Sequence, residues 1–144
     1  MSTLSTVTKL AVALDQLEWA IRLVVDHGSY IPAITLAGAA EEILGRYAQG
    51  TPAFDELRDS LAQTHGLTQK AVAQNHLTVA RNWFKHWHPS TPESIELDLQ
   101  TEAVLVIIRC LTNVFRYDMT QPSEGPRFIE WMTEHCPDLW EQSC

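Results

Sequence analysis

Cysteine is scarce in this 144-residue chain: there are three, Cys110, Cys136 and Cys144, an odd number at wide spacing. That argues against a disulfide framework and fits a reduced cytoplasm. No apolar run approaches the roughly 18 to 20 residues that span a bilayer. The longest, from Ala103 to Leu111, is interrupted by Arg109. No basic stretch followed by an apolar one opens the chain, so neither a secretory leader nor a membrane partner is expected. Asn-Gly and Asp-Gly turns are missing, as is any sustained period-2 alternation, which removes the hairpin signals. There is no His-Glu-x-x-His, no Cys-x-x-Cys and no glycine-rich phosphate loop, so neither a metal nor a cofactor is called for. Positive charge is short as well: 10 Lys and Arg stand against 18 Asp and Glu, a net charge of -8. Phosphate affinity comes from clustered cations, so any nucleic-acid role must rest on a local basic site.

What is present is a helical pattern. The chain is 45% hydrophobic, enough for a core, and residues 1–144 are of single-domain length. Val7, Leu10, Leu14, Leu17, Ile21 and Val24 alternate steps of three and four, a seam that closes at His27-Gly28. Tyr30-Ile31-Pro32 opens a second helix, through Leu36, Ala40, Ile43 and Tyr47 to Gly50. Its small residues Ala37 to Ala40 include Gly38, which costs about 1 kcal/mol against Ala and implies close approach of another helix. Thr51-Pro52 reads as a cap and first position for a short third helix that stops at His65-Gly66. Thr68 can cap a fourth, stapled by Leu67 and Val72, with an apolar face of Val72, Val79, Ala80, Trp83 and Trp87. It ends before Pro89. The fifth, about Glu93 to Tyr117, carries Leu97, Leu99, Val104, Ile107, Ile108, Leu111, Val114 and Phe115 and should be central. After Pro122 a short helix holds Phe128, Trp131 and Met132, and beyond Pro137, Leu139 and Trp140 are candidates to dock back. The expected fold is all-α, an up-and-down bundle of about five helices plus a short C-terminal helix.

Charge is unevenly spread. From Ser60 to Pro92 there is no Asp or Glu, while Lys70, Arg81, Lys85, His65, His76, His86 and His88 all fall in that window. Within it lies Arg81-Asn82-Trp83-Phe84-Lys85-His86. Asn82 and His86 share one helix face, and Arg81 and Lys85 the neighbouring one. Such a patch offers a cation to grip phosphate, an amide to orient it and a group that titrates near neutrality to move a proton. Those are the parts needed to cleave RNA without a metal. The plainer reading is a helix end whose Lys85, His86 and His88 complement the macrodipole.

Arg81-Asn82-x-x-x-His86 resembles the signature of HEPN domains (higher eukaryotes and prokaryotes nucleotide-binding): Arg, four to six residues, then His, often with Asn directly after the Arg. The stretch Thr35 to Gly45, Thr-Leu-Ala-Gly-Ala-Ala-Glu-Glu-Ile-Leu-Gly, is similar to the second helix of small bacterial HEPN-like proteins. The resemblance implies a helical bundle that forms a homodimer with two motifs facing one cleft. It implies a metal-independent endoribonuclease of toxin–antitoxin or phage-defence type, leaving a 2′,3′-cyclic phosphate and a 5′-hydroxyl. Arg81 would then stabilise the phosphate, Asn82 orient it and His86 act as general acid or base. A nucleotidyltransferase-type antitoxin is a possible partner beside RNA. Other members only bind or scaffold, so the alternative is a non-catalytic nucleotide-binding or protein-interaction module.

Three further Arg–His pairs fit the loose spacing: Arg22…His27, Arg58-Asp59…His65 and Arg81…His88. Arg81…His86 is preferred for its Asn, its spacing and its acid-free surroundings. Lys85, His88, Phe84 and Lys70 are candidate substrate contacts. Phe84 is the better base-stacking candidate, because the spacing of Trp83 and Trp87 assigns them to the core. Glu41 or Glu42 could reach and orient Arg81, or pair locally with Arg46. A zinc site from His86, His88 and His135 or Cys136 has little support. Cys110, in the most apolar helix, reads as a small packed hydrophobe.

Overall fold

A computed structural model describes residues 2–47, 52–66, 68, 79–116 and 122–138. Among these it is all-helical: α1 Lys9–His27, α2 Tyr30–Arg46, α3 Ala53–His65, α4 Val79–Lys85, α5 Leu99–Arg116 and α6 Gly125–His135. The all-α bundle with a short C-terminal helix is the architecture the periodicity calls for. No helix among the described residues is long and apolar enough to cross a membrane.

Local chemistry sets most of the ends. Thr8 caps α1, its hydroxyl accepting from the Ala11 amide at 3.1 Å. Val7 therefore lies outside the helix and is 69% exposed, not part of the seam. At the other end Gly28 takes φ 58°, the left-handed conformation in which its amide and that of Ser29 reach the carbonyls of Val24 and Leu23. Two residues thus turn α1 directly into α2. The opening of α3 has no side-chain cap of its own. The Ala53 amide instead donates to Asn113 Oδ1 of α5 at 2.9 Å, a cap supplied from 60 residues away. Thr51 lies outside the described residues, and the helix starts one position later than Thr51-Pro52 suggests. The fifth predicted helix begins at Leu99 rather than near Glu93. Asp98 stops it there, its carboxylate accepting from the Thr101 amide at 3.1 Å.

The core is shared by α1, α2 and α5. Leu17, Ile21 and Val24 meet Ile34 and Leu44, and Val104, Ile107 and Val114 of α5 complete it, all at 1% exposure or less. α5 packs on α1, α2 and α3, the central position its sequence predicts, although Phe115 turns outward at 65% exposure. α6 lies on α1. Phe128 is fully buried, and Glu18 accepts from the Glu124 amide and the Ser123 hydroxyl. Arg127 pairs with Asp26. The predicted staple of Leu67 and Val72, and the docking of Leu139 and Trp140, lie outside the described residues.

Candidate functional site

α2, α4 and α5 bring three charged side chains together inside the bundle. α4 packs on α2 at Gly38, where a Cβ would fall 2.3 Å from Arg81 Cδ and 2.5 Å from Cγ. The missing side chain is the space through which Arg81 enters. Its Nη1 donates to Glu41 Oε1 at 3.0 Å. From α5, Arg109 donates through Nε to Glu41 Oε2 at 2.5 Å and through Nη2 to Oε1 at 3.2 Å. Phe54 of α3 closes the cluster, its ring centroid 5.7 Å from the Arg81 guanidinium carbon and 5.8 Å from that of Arg109. Ring quadrupole and cation attract at such distances.

Glu41, Arg81 and Arg109 are 3%, 9% and 7% exposed. Charges this deep persist only when paired and hydrogen-bonded, and removing one partner strands the other. One carboxylate serves two guanidiniums, so the cluster keeps one positive charge in excess. Arg81 Nε is buried and has no hydrogen-bond partner.

The surface above the cluster is partly acidic. Glu42, the neighbour of Glu41 on α2, points its Oε1 at two cations of α4: Arg81 Nη2 and Lys85 Nζ, each 3.6 Å away. Its side chain is 54% exposed. Beside it opens a pocket of 730 Å³, lined among others by Lys9, Glu41, Glu42, Tyr47, Phe54 and Arg81. Below, Cys110 donates its thiol to the Ala37 carbonyl at 3.3 Å. Burial pushes that thiol well above its ordinary pKa, and the Glu41 charge adds to the effect, so it is an inert core group. Burial likewise raises the Glu102 carboxyl, against the opposing pull of Arg109.

The sequence-predicted site residues divide accordingly. Arg81, Lys85 and Glu42 meet. Asn82, on α4, and His86, the residue after its end, are exposed, and the His86 amide donates to the Asn82 carbonyl at 3.0 Å. His86 is not among the partners of Arg81. His88 folds into the following turn, where its Nδ1 accepts from the Ser90 amide at 3.1 Å and its carbonyl accepts from the Thr91 hydroxyl at 2.6 Å. Phe84 packs against the core, whereas Trp87, assigned to the core by helical spacing, is 81% exposed. The reason is that α4 ends at Lys85, so the helical register no longer applies two residues later. Trp83 stays partly buried and donates its indole N–H to the Pro92 carbonyl at 3.1 Å. Lys70 lies outside the described residues.

Glu41 reaches the motif arginine, and Glu42 does so too; neither turns to Arg46. Arg109, Phe54 and Asn113 are not among the site residues that the sequence suggests. The signal for Arg109 was its place as the lone charge in the longest apolar run, a position that requires a buried partner. Phe54 and Asn113 left no comparable signal. Among the described residues no three His, Cys, Asp or Glu side chains gather closely enough to hold a metal ion. Compared with known proteins, the chain matches no family model, no curated protein and no solved structure.

Proposed function

We propose that the chain is a HEPN-like helical module that holds RNA through its phosphates at the exposed end of α4 and does not cleave it. The observation that carries this reading is the state of Arg81. A catalytic arginine must give a phosphate two parallel N–H bonds as charge develops. Here Nη1 belongs to Glu41, Nη2 faces Glu42, and the residue is 9% exposed. Its first role is to anchor α4 on α2. Lys85 and His86, both exposed, are then the side chains placed to meet a strand. The window from Ser60 to Pro92 brings no Asp or Glu of its own, which favours a phosphate there, although Glu42 of α2 stands against Arg81 and Lys85.

A second reading, the metal-independent ribonuclease, is favoured by one feature. Asn82 and His86 lie one helical turn apart on an exposed face, beside Lys85. In a homodimer joining two such faces, His86 would move the proton and Lys85 or a released Arg81 would hold the phosphate. Both readings meet in one experiment in EDTA: binding and cleavage of labelled single-stranded RNAs by the wild type, Lys85→Ala, His86→Ala and Arg81→Ala. The module binds, weakens as salt rises, loses about 0.7 from its logarithmic salt slope in Lys85→Ala, and leaves the RNA intact. Cleavage to cyclic-phosphate ends, lost in His86→Ala and Arg81→Ala, would replace the module with the nuclease. Neither binding nor cleavage would remove both.

A further inference from the structure

Glu42 occupies a position that an anion would choose. Two cations of one helix, four residues apart, converge on one of its carboxylate oxygens, Oε1, at 3.6 Å each, longer than a hydrogen bond and on a side chain more than half exposed. Glu41 holds Arg81 Nη1 at 3.0 Å but also serves Arg109, so one positive charge is left over for Glu42, or another anion in its place, to balance. The pocket of 730 Å³ opens at the same point, and the buried cluster beneath it carries excess positive charge. Lys9, on the pocket wall, has no carboxylate partner among the described residues.

We infer that Glu42 is an internal stand-in for a phosphate of the bound RNA: the strand displaces the Glu42 carboxylate and one phosphate takes its place between Arg81 Nη2 and Lys85 Nζ. The exchange asks little of the fold, because a half-exposed carboxylate swings into water while Glu41 keeps Arg81 Nη1 and Arg109 in place. Phosphate brings more acceptor oxygens and more charge than the carboxylate it replaces. The pocket receives the adjoining nucleotide, with Tyr47 and Lys9 on its walls. Glu42 thereby sets a threshold, admitting ligands that outcompete a tethered carboxylate and rejecting weaker anions. This inference rests on the RNA-binding reading above, and its test separates the two.

The experiment is fluorescence anisotropy with a labelled 2′-O-methyl oligoribonucleotide, which resists cleavage, using the wild type, Glu42→Gln, Lys85→Ala and the double variant. Glu96→Gln, an exposed carboxylate outside the pocket lining, controls for general charge. The expected result is binding tightened about three- to tenfold by Glu42→Gln, less than twofold by Glu96→Gln, with most of the Glu42→Gln gain lost when Lys85 is Ala. Binding by the wild type that Glu42→Gln leaves unchanged or weakens would overturn the inference and spare the RNA-binding reading. A gain equal in the Lys85→Ala background would overturn it too, since the effect would then be long-range charge alone. Absence of binding in every variant would overturn both. Unaltered melting temperatures in Glu42→Gln and Lys85→Ala show that the fold is not what changed.

Discussion

At Gly38 the α2 backbone carries no side chain, and the aliphatic stem of Arg81 fills that space. A methyl group there must displace a guanidinium stem whose far end is held by Glu41, so the stem has little freedom to retreat. Gly38→Ala, normally a gain in a helix interior, is expected instead to cost about 1 to 3 kcal/mol, read as a lower urea midpoint. In an Arg81→Ala background the same substitution should become neutral or stabilising. An equal cost in both backgrounds would mean that Arg81 is not what Gly38 accommodates. The small residues of the Ala37 to Ala40 stretch pointed to a close approach. That the approaching group would be an arginine stem was not legible, because spacing reports a need for room and not what fills it.

α3 shows how an element can owe its start to another. Its N-terminus lacks a local cap, and Asn113, fully buried on α5, accepts from the Ala53 amide. Its own Nδ2 has no partner. A second tie joins the same pair, since Arg116 of α5 meets Glu56 of α3. Asn113→Leu should leave the Ala53 amide buried and unpaired, at a cost of about 1 to 3 kcal/mol. Amide exchange ought to accelerate first in α3 and hardly at all in α1. Uniform acceleration through the whole bundle would mean that Asn113 serves the core and not the α3 start. α4 makes the contrasting case. Its described part is set in place by Ala80 and Arg81, buried against α2. The Trp87 reversal follows from the end of α4 at Lys85.

Across the whole molecule, ion pairs hold the outer helices to the inner ones. Arg127 of α6 hydrogen-bonds Asp26 of α1 and lowers its carboxyl below the ordinary value of 3.8. Arg116 does the same for Glu56, below 4.5. In both, the folded pKa lies beneath the unfolded one, so the contribution is complete above the unfolded value and lost as pH falls through the folded one. Glu102 works the other way. Burial raises its carboxyl, so its contribution is present at low pH and lost as pH rises. The melting temperature should therefore fall as pH drops below about 4.5. Arg127→Gln and Arg116→Gln should each flatten that fall, by a small amount because the pairs are solvated. An acid limb unaltered in both variants would show that the pairs are decorative.

The sequence alone determined the all-α class, the α1–α2 turn at Gly28 and the central place of α5, because these depend on local caps and on apolar periodicity along one helix. It also offered Glu41 or Glu42 as able to reach Arg81, with local pairing to Arg46 as the alternative. Only the tertiary structure decided that Arg81 faces inward, that Arg109 shares its carboxylate and that Asn113 begins α3. Each of those is a pairing between elements, and a buried charge or an uncapped helix end states only that a partner is needed. Which residue answers is settled when the helices pack.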